Sequence, residues 1–135
     1  MELKKENSAV DEEELKAAED QAAEDLLNYG DTYTHTLAKP FEYDGATFNE
    51  LTFDWGKLTG RDSLAIEHEI EAMGKALIAP EFSGDYLIRM AARACTATVE
   101  LPGGKKTPLS SDAFQHLPLR DWNRIRRAAR SFLLG

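Results

Sequence analysis

Residues 33–55 decide the fold of this chain, and they read YTHTLAKPFEYDGATFNELTFDW. At the start of this stretch Tyr33, His35 and Leu37 alternate with threonines, a period of two that is typical of a β-strand with one buried face. The pair Asp44-Gly45 then separates this strand from a second run of β-forming residues. Asp-Gly between two such runs indicates a type I′ hairpin turn, because that turn needs positive φ at both central residues. The stretch therefore predicts a two-stranded antiparallel hairpin over residues 32–55.

The two strands of this hairpin cannot pair along their whole length without an irregularity. A two-residue turn in an unbroken ladder sets Leu37 opposite Thr52, which mixes the buried face with the exposed one. One extra residue on the second strand sets Leu37 opposite Phe53 and restores the match between the two faces. We therefore predict a β-bulge at residues 48–50. Pro40 lacks an N–H donor, which favours an edge position for the first strand.

Three helices are predicted after the hairpin, at about residues 60–78, 84–98 and 119–134. Thr59, with Asp62 three residues later, forms a capping-box pattern at the start of the first helix. The apolar stripe of this helix has four members at helical spacing, namely Ile66, Ile70, Met73 and Leu77. Pro80 prevents the helix from continuing, because proline has no N–H donor.

The later segments also carry local signals. The second helix begins after Ser83 and is apolar around more than half of its circumference, which predicts a central position. Residues 102–106 read PGGKK and predict an exposed turn, since they lack the spacing of a phosphate-binding loop. Ser110 can cap a short helical turn that runs through Phe114, and Pro118 lies near the start of the last helix. The predicted fold class is α+β: a two-stranded antiparallel hairpin packed on three to four helices.

The charged residues are distributed unevenly along the chain. Residues 1–31 hold eleven acidic side chains and three lysines, a net charge of -8, which equals the formal charge of all 135 residues. We interpret this segment as an acidic leader, helical or partly disordered, that precedes a domain over residues 32–135. A frayed helix exposed to solvent and an arm that binds a partner both fit its composition. A segment this acidic repels phosphate and is a poor candidate for contact with nucleic acid.

The opposite charge gathers at the carboxyl end, where residues 117–135 hold five arginines against one aspartate, a net charge of +4. Such a helix can serve a small DNA-binding regulator, and this alternative stays open. The arginines, however, flank an apolar stripe on the same helix, which favours packing over contact with nucleic acid.

Composition indicates an ordinary globular protein, with 42% hydrophobic and 30% charged residues. Apolar stretches are far shorter than the roughly 20 residues of a spanning helix, and the charged residues at the amino end do not resemble a signal peptide. Cys95 is the single cysteine, so no internal disulfide can form. These features predict a cytoplasmic protein without a membrane partner.

Residues for catalysis or metal binding do not occur at usable spacings. His35, His68 and His116 are far apart, and no second histidine follows His68 four residues later, as a zinc-protease helix requires. Glu67 and Glu71 lie on one exposed helical face rather than forming an acid and base pair. We therefore expect neither an enzyme nor a cofactor or metal site.

Several segments together resemble the tail assembly chaperones of long-tailed bacteriophages, the small tail proteins of Mu-like and P2-like phages and related prophages. The resemblance covers about residues 32–134. The motifs that carry it are residues 37–45, 48–53, 57–62, 86–87, 91–94, 117–123 and 131–133, which read LAKPFEYDG, FNELTF, KLTGRD, YL, AARA, LPLRDWN and SFL.

The resemblance implies a non-enzymatic function in the cytoplasm of the host cell. Members of this family bind the tape measure protein, keep it soluble, assist polymerisation of the tail tube protein around it and are absent from the mature virion. The resemblance therefore implies no catalytic or metal-binding residues in this chain. A structural tail component is a second alternative, and self-association remains open.

A holdase of this kind needs accessible apolar surface. Two sets of residues are candidates for it, the hairpin aromatics Phe41, Phe53 and Trp55, and the last-helix stripe of Trp122, Ile125, Phe132 and Leu133. Packing in the core is the competing account for the same residues.

Overall fold

The computed structural model of the protein describes residues 13–17, 20 and 31–135. Residues 13–17 and 20 are helical and exposed. The remainder of the predicted leader up to Gly30 lies outside the described residues, so its predicted state stays a prediction. The rest of the described chain has the predicted α+β class, a hairpin packed on helices.

A hairpin opens the domain. Strand β1 covers Thr32–Tyr43 and strand β2 covers Ala46–Asp54, and they pair antiparallel. Asp44 and Gly45 have φ values of 49° and 78°, so the turn has positive φ at both central residues, as predicted. A 3₁₀ turn, Trp55–Lys57, ends the second strand.

The register irregularity exists, but the prediction placed it on the wrong strand. Phe41 pairs with Phe48, whereas Thr36 pairs with Glu50, so residues 37–40 of β1 oppose the single residue Asn49 of β2. The three extra residues therefore lie on β1, and the bulge predicted at residues 48–50 is wrong. A shift of three residues changes the face that a side chain occupies just as a shift of one does.

Pro40 gives the physical reason for this choice of strand. It has no N–H to donate, so the ladder is interrupted there at little cost. The result sets His35 opposite Leu51 and Tyr33 opposite Phe53, rather than Leu37 opposite Phe53. The inward side chains of both strands still lie on one face of the hairpin, as they would with the predicted bulge.

Helix α1 covers Gly60–Ala72 and is shorter than the predicted 60–78. Its start agrees with the prediction, because the backbone N–H of Thr59 donates to Asp62 Oδ2 over 2.8 Å. Its end is a Schellman motif: Gly74 has a φ of 75°, its N–H donates to the Glu71 carbonyl, and the Lys75 N–H donates to the Ile70 carbonyl. The helix thus ends at this glycine, well before Pro80.

Replacing Gly74 by alanine is expected to lower the free energy of unfolding by about 1–2 kcal/mol, because an L-residue is disfavoured at this positive φ. Gly60→Ala is the matched control, since Gly60 lies in the first turn of the same helix with open space around it. That control is expected to leave stability unchanged or to raise it by up to about 1 kcal/mol. Urea unfolding of both variants checks the pair, and equal effects would contradict the left-handed cap.

Helix α2 covers Gly84–Ala94, with the Ser83 hydroxyl accepting from the Tyr86 N–H over 3.1 Å. It contacts α1, the later helices and β2, which confirms its central position. The prediction that it reaches residue 98 is wrong. Thr96 donates its N–H to the Thr52 carbonyl over 2.9 Å, because the free edge of β2 offers backbone groups that need partners.

A second, small hairpin follows that the sequence reading did not identify. Strands β3, Thr98–Glu100, and β4, Lys106–Pro108, pair antiparallel around the exposed glycine turn. Two helices complete the fold, a short α3 over Ser111–Gln115 and α4 over Leu119–Leu134. Both were predicted.

A buried polar pair joins the first strand to the last helix. His35 Nε2 lies 2.7 Å from Asp121 Oδ1, and the two residues are only 3% and 4% exposed. A carboxylate accepts hydrogen bonds, so Nε2 donates to Asp121, and the Tyr33 hydroxyl lies 3.0 Å from Nδ1 of the same ring. Sequence reasoning had singled out neither the pairing nor Asp121.

Candidate partner-binding groove

An apolar groove of about 230 Å³ opens where three helical segments meet. The end of α4 forms one wall, the start of α1 forms another, and the middle of α2 lies between them. Its apolar lining consists of Leu58, Ile66, Tyr86, Met90, Phe132 and Leu133. The groove thus lies between elements that a partner can reach from solvent.

One wall of the groove is fixed by a hydrogen bond between two hydroxyl groups. Ser63 Oγ of α1 and Tyr86 Oη of α2 are 2.7 Å apart. Tyr86 is buried, so this bond satisfies its polar atom while its ring supplies apolar surface. The groove is therefore held between two helices whose relative position is specified by a polar contact.

Four of the seven residues that the sequence singled out for partner binding are buried. They are Phe41, Phe53, Trp55 and Ile125. The Phe53 ring stacks on the Trp55 ring with centroids 5.2 Å apart and packs against Phe114 at 5.8 Å. In this structure the competing account, packing in the core, applies to all four.

The other three residues, Trp122, Phe132 and Leu133, are half-buried. Phe132 and Leu133 line the groove, and the centroid of the Phe132 ring lies 6.4 Å from that of the Trp55 ring. The groove wall is therefore an extension of the buried aromatic cluster. Trp122 lies elsewhere on α4, outside the groove lining.

Two exposed apolar side chains near α4 escaped the sequence reading. Ile78, which is 94% exposed, precedes the 3₁₀ turn Pro80–Phe82, and Phe82, the last residue of this turn, is 67% exposed. The turn contacts α4. The sequence reading used Pro80 only as a helix terminator. Large apolar residues flanking a loop proline were the available signal, because a short loop offers them little core to enter.

Arg130 of α4 lies against this loop. Its guanidinium carbon is 5.9 Å from the centroid of the Phe82 ring, within the range of a cation–π contact. Burial, with a smaller contribution from the charge of Arg126, lowers the pKa of Arg130 below its usual value. The cationic head is thus partly removed from water and lies beside a like charge.

A second cleft, of about 430 Å³, differs in character because four of the five charged side chains that line it are paired with each other. Arg93 binds Asp62 at 2.9 Å and Glu69 at 3.3 Å, and Arg89 binds Glu69 at 3.2 Å. The hydrogen bond from the Thr59 backbone, followed by Arg93, lowers the pKa of Asp62. These side chains hold α1 against α2.

Cys95 also lines this second cleft, but its thiol lies in the core. Burial raises the pKa of Cys95, which disfavours the thiolate that reacts or binds metal. Within the described residues, no group of three or more histidine, cysteine, aspartate and glutamate side chains could hold a metal ion. The paired charges of the cleft join α1 to α2.

Among the helices that the structure describes, none has the length and apolar character needed to cross a bilayer. Compared with protein-family models, with curated proteins and with solved structures, the chain matches none.

Proposed function

We propose that this protein is a phage tail assembly chaperone that binds an apolar helical segment of the tape measure protein and assists polymerisation of the tail tube protein. The observation that supports this function best is the open apolar groove at the end of α4, lined by Phe132 and Leu133. Both residues belong to the segment Ser131-Phe132-Leu133, which carries part of the resemblance to this family.

The size of the groove suits a side chain better than a metabolite. Pockets that enclose drug-sized ligands measure roughly 300–1,000 Å³, whereas this groove measures about 230 Å³. Apolar side chains at i, i+3, i+4 and i+7 of a partner helix are the usual occupants of such grooves. An elongated apolar helix such as a tape measure segment presents these side chains in series.

The charge of the chain suits a protein that holds an apolar partner in solution. A formal net charge of -8 opposes aggregation while the groove stays open to solvent. Binding through a shallow apolar surface is reversible, as a factor that departs before the tail is complete requires. We therefore expect the protein in the host cytoplasm and not in the mature virion.

Leu133→Gln is expected to weaken binding of the tape measure protein about tenfold or more, since burying a leucine contributes roughly 1.5–3 kcal/mol. Leu134→Gln is the matched control, because Leu134 is the next residue of α4, is exposed and does not line the groove. Each variant is coexpressed with the candidate tape measure protein, and the soluble complex is quantified by affinity copurification. Leu134→Gln is expected to retain the complex.

Failure of the wild-type protein to copurify with the tape measure protein, or to raise its soluble yield, contradicts the proposed function. Detection of the protein in purified particles would instead favour a structural tail component. A gel shift of duplex DNA at physiological salt would favour the DNA-binding regulator.

A further inference from the structure

In the part of the chain that the structure describes, Arg126 and Arg130 of α4 have no carboxylate partner, in contrast to Arg89 and Arg93 of α2. Arg89 and Arg93 both bind acidic side chains of α1. Neither Arg126 nor Arg130 lies within 4.0 Å of a carboxylate in the described part of the chain, and Arg126 Nε is buried without a hydrogen-bond partner there. Within the described residues, these two half-buried cations, one helical turn apart, thus have no compensating carboxylate.

This arrangement costs free energy that an anion can recover. Partial burial and the charge of Arg126 both disfavour the charged guanidinium of Arg130 and lower its pKa. A carboxylate placed between them removes the repulsion and supplies acceptors for the fork of N–H donors. A second guanidinium or a purely apolar group does neither.

The position of the two arginines connects them to the apolar groove. Arg126, Arg130 and Leu133 follow each other at spacings of four and three residues, so they lie on one face of α4. Leu133 lines the groove, and Arg130 lies beside the exposed Phe82 ring. Along this face of α4, the apolar Leu133 is followed by Arg130, with the Phe82 ring of the neighbouring turn beside it, and then by Arg126.

We propose that Arg126 and Arg130, together with Phe82, form a carboxylate-binding extension of the groove, and that the segment bound there is an amphipathic helix whose apolar stripe is flanked by glutamate or aspartate. This inference rests on the proposed function, because it names the chemistry of the segment that the groove holds. Charge complementarity decides the occupant: an apolar helix without carboxylates leaves both arginines unpaired.

The helix geometry sets the spacing that the partner needs. Leu133 and Arg126 are seven residues apart, which is about 10 Å along the axis of α4. A partner helix lying alongside α4 therefore carries its carboxylates one to two turns from the side chain that enters the groove. This requirement is specific enough to build into a probe.

The probe is a fluorescein-labelled 18-residue helical peptide with leucines at i, i+4, i+7 and i+11 and glutamates on both flanks of this stripe. A second peptide has glutamine at every glutamate position. Fluorescence anisotropy measures the binding of each peptide to the full-length protein. The wild-type protein is expected to bind the glutamate peptide about tenfold more tightly than the glutamine peptide, with the difference shrinking at high salt.

The double variant R126Q/R130Q is expected to remove this preference, so that both peptides bind within about twofold of each other. The matched control is R120Q/R124Q, which makes the same change of charge at the same spacing on exposed positions of α4. It is expected to retain most of the preference, because exposed charges are screened.

Several results would overturn the inference. Equal affinity of the wild-type protein for both peptides removes the carboxylate subsite but leaves the proposed function standing, provided that L133Q still weakens binding. No binding of either peptide removes the carboxylate subsite, whereas copurification with the tape measure protein decides the proposed function. A preference that R120Q/R124Q abolishes as fully as R126Q/R130Q indicates a general charge effect. A 20-base-pair DNA duplex that binds the wild-type protein more tightly than the glutamate peptide assigns the arginines to nucleic acid.

Discussion

Replacing Asp121 by alanine is expected to lower the free energy of unfolding by about 1–3 kcal/mol, because the change leaves the buried Nε2–H of His35 without its acceptor. The pair joins β1 to α4 across 86 residues of sequence. Losing it removes a contact between the two elements that enclose the core. Urea unfolding followed by tryptophan fluorescence measures the loss.

A second pair of the same residue types provides the control for this prediction. His116 and Asp112 lie 3.6 Å apart on the surface, with their side chains 62% and 64% exposed. Asp112→Ala is expected to cost about 1 kcal/mol or less, since both its contact with His116 and the hydrogen bond that it accepts from Tyr43 are exposed to solvent. A loss in Asp121→Ala no larger than that in Asp112→Ala would contradict the importance of burial.

The double variant H35L/D121L separates the two costs of the buried pair. It removes both polar groups, so that neither is left unpaired, and is expected to recover part of the stability that Asp121→Ala loses. A double variant that is less stable than Asp121→Ala would show that two leucines cannot replace the packing of the His35–Asp121 pair.

Phe53→Ala is expected to cost about 3–5 kcal/mol, because the Phe53 ring is fully buried and its removal leaves a cavity. The ring packs between Trp55 and Phe114, and Trp55 in turn packs against Phe132 of the groove wall. We therefore also expect weaker binding of the leucine-stripe peptide, since the cavity loosens the support of Phe132. Chemical unfolding and anisotropy measure the two effects.

Phe82→Ala is the matched control, with the same change of side chain at a position that is 67% exposed. It is expected to alter stability by no more than about 1 kcal/mol, the range of an exposed cation–π contact with Arg130. If Phe82→Ala destabilises the protein as strongly as Phe53→Ala does, the exposed loop takes part in the core and cannot serve a partner.

Local sequence signals predicted the parts of the fold that depend on local geometry. Asp44-Gly45 identified the turn, Thr59 with Asp62 identified the start of α1, and Ser83 identified the start of α2. Each signal acts within about four residues, so the chemistry of the side chain and the conformation of the backbone determine it together.

Register and helix ends were predicted less well, for reasons that differ. Matching the two faces of the hairpin allows either one extra residue on β2 or three on β1, and the alternation of side chains cannot distinguish them. Gly74 was a visible stop signal, yet the apolar spacing of Leu77 suggested a longer helix. The end of α2 depended on the edge of β2, a partner about 40 residues away in sequence.

The sequence by itself determined the hairpin, the helix starts, the α+β class and the separation of acidic and basic ends, because these follow from neighbouring residues and from simple counts. Only the tertiary structure decided which aromatic side chains enter the core and which line the groove, and that His35 meets Asp121 while Arg126 and Arg130 meet no carboxylate in the described chain. Periodicity shows that a side chain lies on an apolar face, but burial depends on what packs against that face. Distant parts of the chain supply the packing partner, and their arrangement is a property of the whole fold.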